Sequence, residues 1–210
     1  LFKFIDAKED LSIQLHPNDE LARERHNSFG KTEMWYVMQA DESSRLVVGF
    51  KKDSNKEEYL QELNNKNLIG LLNEYPVAKG DVFFLETGTI HAIGAGVVVA
   101  EIQQTSDVTY RIYDWDRVDA NGQGRELHTE LALDAINYNT TPSKVDYQEV
   151  ANQSTAVVDC PYFVTNIIAD NLLTDFPSYG YIITLTKGIN QKWSGFIENQ
   201  GFKSDFYSDS

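Results

Sequence analysis

Leu11-Ser12-Ile13-Gln14-Leu15-His16-Pro17 alternates apolar with polar side chains. On a strand, alternate residues share a face, so Leu11, Ile13 and Leu15 form an oily side, while Ser12, Gln14 and His16 form the other. The second side carries an amide and an imidazole in neighbouring positions, both able to ligate a metal. A polar face on a short strand is ordinarily a solvent face. That reading weakens on meeting Glu33, which opens the strand-like run Glu33-Met34-Trp35-Tyr36, and His91, which follows the turn Glu86-Thr87-Gly88-Thr89.

Strand character recurs at 1–5, 33–38, 45–50, 81–85, 97–103, 108–113, 162–168 and 180–186. Turn residues separate most of these runs, among them Gly80-Asp81, Gly94-Ala95-Gly96 and Asn121-Gly122. Many short strands between such turns predict a mainly β fold, a sandwich or barrel. Helical periodicity predicts a short helix over 19–26. Ser54 with Glu57 reads as a capping box opening a helix through Leu63, and a further helix at 66–73 completes a helical insertion at about 54–75. Residues 128–137 predict another helix with Leu131, Leu133 and Ile136 buried. The polar stretch 137–144, with Pro142, divides a domain over 1–140 from a smaller one over 145–210.

The chain has 210 residues and a formal net charge of −14, which argues against nucleic acid or an anionic membrane as its main partner. The same charge repels an anionic substrate unless local Lys and Arg reverse the field within a Debye length, about 8 Å at physiological salt. A single cysteine, Cys160, permits no internal disulfide and reads as a buried structural thiol in a reducing, cytoplasmic protein. No apolar run approaches the roughly 20 residues that span a bilayer, and no basic-then-apolar leader opens the sequence. Leu1 falls inside a strand-like run, which predicts that the natural N-terminus lies upstream.

The stretch Gly80-Asp81-Val82-Phe83-Phe84-Leu85-Glu86-Thr87-Gly88-Thr89-Ile90-His91 resembles the second sequence motif of cupins, with Glu86 where those proteins usually carry proline. Gln14-x-His16 followed by Glu33 is similar to the first cupin motif with one histidine replaced by glutamine. The implied fold is a cupin jelly-roll β-barrel, and the implied metal ligands are Gln14, His16, Glu33 and His91. Two imidazoles, one carboxylate and one amide oxygen suit Zn²⁺. His26 and His128 lie among charged residues and read as surface groups.

Further blocks make the resemblance specific. Lys31-Thr32-Glu33-Met34-Trp35-Tyr36, Gly88-Thr89-Ile90-His91-Ala92-Ile93-Gly94-Ala95-Gly96 and Ser106-Asp107-Val108-Thr109-Tyr110-Arg111-Ile112-Tyr113-Asp114-Trp115, together with 11–17, resemble the type I phosphomannose isomerases over most of residues 1–140. The resemblance implies an aldose–ketose isomerase with one Zn²⁺ per chain that interconverts mannose 6-phosphate and fructose 6-phosphate through an enediolate. It places the zinc ligands on Gln14, His16, Glu33 and His91, the active-site arginine on Arg111, and its acidic neighbours on Glu101 and Asp107. Lys31 matches an active-site lysine, Ser12 a phosphate-contacting serine, and Arg117 stands in for a phosphate-binding cation. The proton-shuttling base stays open among Lys31, Glu101 and Asp107. Without the resemblance, Arg111 and Arg117 read as sheet-surface arginines stacked on aromatic neighbours. The rival readings are a non-catalytic sugar-phosphate-binding cupin and another metal cupin such as an Fe(II) oxygenase, the latter disfavoured by Gln14. Residues 145–210 resemble the start of a metal-free second cupin whose strand pattern breaks off after about residue 188, which predicts an incomplete barrel.

Overall fold

A computed structural model of the protein describes residues 1–150, 153–169, 181–187, 191–197 and 207–208. The chain divides into two compact units, Leu1–Lys144 and Val145–Ser210. The first runs β1 (Phe2–Ala7), β2 (Ile13–Leu15), α1 (Asp19–His26), β3 (Glu33–Ala40), β4 (Arg45–Phe50), α2 (Lys56–Asn64), α3 (Leu68–Leu71), β5 (Leu72–Pro76), β6 (Val82–Leu85), β7 (His91–Ile93), β8 (Val97–Gln103), β9 (Tyr110–Tyr113), α4 (Thr129–Leu133) and β10 (Lys144–Val145). The second contains β11 (Ser154–Asp159), β12 (Val164–Ala169), β13 (Tyr181–Lys187), β14 (Gln191–Ile197) and β15 (Tyr207–Ser208), antiparallel neighbours in that order.

Two five-stranded sheets build the first unit, one ordered β1-β8-β3-β6-β10 and the other β5-β4-β7-β2-β9. Strand alternation sorts their side chains into two cores. Trp35 and Val37 of β3, Phe83 and Leu85 of β6, and Val97 and Val99 of β8 meet Leu46 and Val48 of β4 and Ile93 of β7, so both sheets contribute to one cluster. The opposite face of the second sheet presents Ile13, Leu15, Val47, Ala92, Tyr110 and Ile112 to Tyr59 of α2, Leu68 of α3, and Ala132 and Leu133 of α4. The oily side read in 11–17 therefore faces the helices. Its polar side shares the face of Leu46, Val48 and Ile93, where a solvent reading does not hold.

Helix α1 covers the span predicted for it. Asn18 accepts the Leu21 N–H at its start, and acidic Asp19 and Glu20 sit opposite basic Arg23, Arg25 and His26 along the dipole. The predicted cap of α2 shifts by one residue: Asn55, not Ser54, accepts the Glu58 N–H, while the Ser54 hydroxyl donates to the Glu58 carboxylate. Asparagine and serine cap equally well, and with Asn55 in the cap position Ser54 is left to bond the Glu58 side chain. The end of the expected helical insertion is also corrected, since residues 72–76 form strand β5 against β4. Pairing with a strand more than twenty residues away outweighs local periodicity there. The helix expected over 128–137 is shorter, α4 ending at Leu133; Leu133 and, beyond it, Ile136 are buried as expected, but Leu131 is exposed. Cys160 is half-buried, its thiol donating to the Phe163 carbonyl. Beyond residue 188, β14 and β15 extend the sheet of the second unit.

Leu46 is fully buried where both sheets meet. Leu46→Ala is expected to cost about 2–5 kcal/mol of stability. Urea denaturation checks this, and a loss below 1 kcal/mol would contradict a shared inter-sheet core.

Candidate metal centre

The second sheet aligns the polar side chains. β2 lies between β7 and β9, and Gln14 pairs with His91 on one side and Arg111 on the other. Directly opposed residues of antiparallel strands share a face. His16 lies two residues beyond Gln14 and is 2% exposed. The first sheet supplies Glu33, 1% exposed, on the same face of β3 as Trp35. His91 is delivered by a turn in which the Thr89 N–H reaches the Glu86 carbonyl and Gly88 adopts φ +83°. A side chain on Gly88 would strain that backbone and meet the Ala135 carbonyl at 2.5 Å. Glu86 takes the usual proline position without disturbing the turn, because only its carbonyl is needed. The Gly88 N–H donates to the His16 carbonyl, which ties the turn to the end of β2.

Ligand atoms of His16, Glu33 and His91 converge within 4.8 Å of one another. His16 Nε2 stands 3.4 Å from Glu33 Oε2, and His91 Nε2 stands 3.5 Å from Glu33 Oε1. The Gln14 amide nitrogen lies 3.5 Å from His91 Nε2. Each imidazole is held from behind by a backbone carbonyl: His16 Nδ1 is 2.8 Å from Val108 O, and His91 Nδ1 is 2.9 Å from Thr89 O. A carbonyl only accepts, so each Nδ1 carries a proton and each ring turns its Nε2 toward Glu33. Burial is the chief cause pushing the His91 imidazole down, to about 4, which keeps it neutral near pH 7. Burial alone would raise the Glu33 carboxyl, but His16, His91 and Lys31 outweigh it and hold Glu33 below its ordinary range.

Two lone pairs facing a buried carboxylate repel unless a cation lies among them. His16 Nε2 and Glu33 Oε2 complete no hydrogen bond despite being fully shielded from water. Buried polar atoms without partners are uncommon and call for an explanation. A divalent cation held by His16, Glu33 and His91 would satisfy both atoms, so this donor set fits a metal ion; turning the Gln14 amide over would add its oxygen as a fourth donor.

Around the cluster, Lys31 Nζ lies 3.1 Å from Glu33 Oε2 and 3.8 Å from Glu101 Oε1, and Lys31 is 6% exposed. Trp35 Nε1 donates to Glu101 Oε2 at 3.0 Å, and Lys3 reaches Glu101 Oε1 at 3.4 Å. Arg111 donates from Nε to Ser12 Oγ at 3.3 Å and from Nη1 to the Glu126 carbonyl. Arg117 donates to Asp114 and to the Asp10 carbonyl. Asp107 is exposed between β8 and β9, where its carbonyl accepts from the Thr109 hydroxyl. Gln14, His16, Glu33, His91, Lys31 and Glu101 are thus brought together, with Ser12 and Arg111 adjoining along β2 and β9; Asp107 and Arg117 engage other partners.

Sequence reasoning missed Trp35 as the partner of Glu101, and it missed His128. The His128 ring Nδ1 accepts the Arg111 backbone N–H at 3.1 Å while the His128 backbone N–H donates to the Arg111 carbonyl at 2.7 Å. His128 therefore clamps the backbone that carries Arg111. Nothing in its polar neighbourhood signals this. His26, also read as a surface group, is exposed and bonds the Tyr110 hydroxyl.

Known proteins resemble this chain in sequence and fold. The mannose-6-phosphate isomerase of Streptococcus mutans is 41% identical over 167 residues, spanning 78% of this chain and 52% of that protein. The probable mannose-6-phosphate isomerase GmuF of Bacillus subtilis is 39% identical over 210 residues, 97% of this chain and 64% of that protein. The crystal structure of the mannose 6-phosphate isomerase from Bacillus subtilis superposes with a TM-score of 0.68 at 31% identity, covering 91% of this chain and 56% of that one. No family model matches the chain. The chain spans about half to two thirds of the length of these relatives. Fold and cluster define a mainly β protein of the cupin class with an imidazole–carboxylate centre at the meeting of its sheets. Within that class the chain is a homologue of the mannose-6-phosphate isomerases.

His91→Ala is expected to lower the divalent-metal content of purified protein, measured by atomic emission; unchanged stoichiometry would remove His91 from the ligand set. Acid should also weaken the metal-free fold. An unfolded imidazole takes up a proton below 6.5, whereas folded His91 does so only near 4, so stability falls as pH drops through that window. Glu33 adds to the loss at lower pH, because its depressed carboxyl stabilises the fold only while ionised. The urea midpoint of chelator-treated protein is expected to fall between pH 7 and 4.5, and to fall less in His91→Gln. Equal slopes in the two proteins would contradict a buried neutral His91.

Proposed function

We propose that this chain is a zinc-dependent aldose–ketose isomerase that interconverts mannose 6-phosphate and fructose 6-phosphate. The observation that carries the reading is the pair of imidazole lone pairs aimed at one buried carboxylate, in a chain whose relatives at 38–41% identity bear mannose-6-phosphate isomerase names. The donor set of two imidazoles, one carboxylate and one amide oxygen favours Zn²⁺. When bound, zinc supplies Lewis acidity toward a carbonyl or hydroxyl oxygen of the sugar.

The reaction moves a proton between adjacent carbons through an enediolate. It therefore needs a group to carry the proton and positive charge beside the developing oxyanion. Lys31 and Glu101 face each other at 3.8 Å against the cluster, which favours them over exposed Asp107 as the groups that move the proton. Trp35 orients Glu101 through its indole N–H. Arg111, opposite Gln14 in register, brings a permanently charged guanidinium to the same face. In this reading Ser12, two residues before Gln14 and bonded to Arg111, contacts the phosphate and fixes the register of the sugar. The setting is taken to be cytoplasmic, in keeping with the single free thiol.

A coupled assay for fructose 6-phosphate formation from mannose 6-phosphate tests the reading. Arg111→Ala is expected to retain its metal and lose about 100-fold in kcat with a smaller change in KM. An effect confined to KM would give Arg111 a binding role instead. Wild-type protein that binds mannose 6-phosphate without turning it over would replace the isomerase with a binding module.

A further inference from the structure

Asp114 lies just beyond β9 and is 6% exposed. Its Oδ1 accepts from Arg117 Nη2 at 2.5 Å and from Arg125 Nη2 at 2.5 Å, and its Oδ2 accepts from Arg125 Nε at 2.7 Å. Those bonds hold Asp114 ionised, its carboxyl pulled down to about 2 chiefly by Arg125 and then by Arg117. Arg111 joins the group: besides its burial, the charges of Arg125 and Arg117 push its guanidinium down. Three guanidiniums thus crowd around one buried carboxylate. Glu9 and Glu126 stand nearby, but both are exposed and their charge is screened by water.

The cluster is anchored beside the metal-ligand strand. Arg117 Nη1 donates to the Asp10 carbonyl at 2.8 Å, Trp115 Nε1 to the Leu11 carbonyl at 2.9 Å, and Arg111 Nε to Ser12 Oγ at 3.3 Å. The turn that follows Asp114 holds Trp115 and Asp116 in succession at φ +57° and +53°. Two successive non-glycine residues in that region cost free energy and persist only where the surroundings impose them. Meanwhile Arg125 Nη1 and Arg111 Nη2 make no hydrogen bond among the described residues. Ser12 Oγ, which accepts from Arg111, still has its own O–H to donate. In a chain of net charge −14, this is a local reversal of sign.

We propose that Arg125 binds the phosphate dianion of the substrate together with Ser12, within the positive field of Arg111, and that Asp114 is the positioning residue that holds Arg125 and Arg117 in place for it. The proposal rests on the sugar-phosphate reading and extends it to Arg125, outside the sequence motifs, and to Asp114, to which they gave no role. A dianion relieves the repulsion among the crowded guanidiniums, and their forked donors match phosphate oxygens.

The test uses metal-loaded protein and two probes, mannose 6-phosphate and inorganic phosphate. Arg125→Ala is expected to raise KM and the inhibition constant of phosphate by about tenfold each, leaving kcat within about threefold. Arg125→Lys should recover part of the loss. Asp114→Asn, which touches no substrate, should raise the same two constants while metal content stays unchanged. If both constants move less than twofold in Arg125→Ala, the cluster is only a structural clip and the proposal fails; that variant carries the test should Asp114→Asn not fold. If the wild type shows no turnover, calorimetry with inorganic phosphate decides separately. Binding lost in Arg125→Ala supports the subsite without the isomerase, and binding unaffected by the substitution overturns it.

Discussion

A carboxylate sealed from water, with two imidazole lone pairs turned toward it, is the interaction on which the site depends. Removing Glu33 from solvent carries a desolvation cost of several kcal/mol that only nearby positive charge offsets. Lys31 supplies part of it. His16 and His91 add to it when they carry charge, and the carbonyls of Val108 and Thr89 fix their Nδ1 protons so that Nε2 faces Glu33. A divalent cation at the convergence point would settle the electrostatics of the three converging side chains at once, which favours a metal centre over a buried ion pair.

The sheets exist, in this sense, to bring that charge together from distant stretches of chain. β2 and β7 place Gln14 and His91 side by side, and β3 of the other sheet brings Glu33 across. The inter-sheet core of Trp35, Val37, Leu46, Val48 and Phe83 keeps the two sheets in register. Trp35 belongs to both systems, since its ring packs in that core while its N–H fixes Glu101. Packing and chemistry are coupled at this residue, so core disorder would reach the site directly.

Much of this was legible in the sequence where a side chain announces its own role. Period-two alternation placed Gln14 and His16 on one face, and the turn ending at Thr89 placed His91 at a strand start. What stayed hidden depends on partners far away in sequence. The strand at 72–76 reads as helix until β4 is there to pair with it. Leu131 fits a helical stripe, but α4 turns it to solvent. His128 acts through the backbone of Arg111, and the carbonyls that set the imidazole tautomers belong to Val108 and Thr89, whose side chains carry no hint of the task. Asp114 and Arg125 likewise form a pair only once the loop after β9 is folded.

The most direct measurement is anomalous diffraction at the zinc absorption edge from crystals of zinc-loaded protein. The account predicts one strong peak about 2 Å from the Nε2 atoms of His16 and His91, a Glu33 oxygen and the Gln14 amide oxygen. A crystal in which the zinc peak lies away from these four side chains, or in which saturating zinc leaves their meeting point empty, would contradict it.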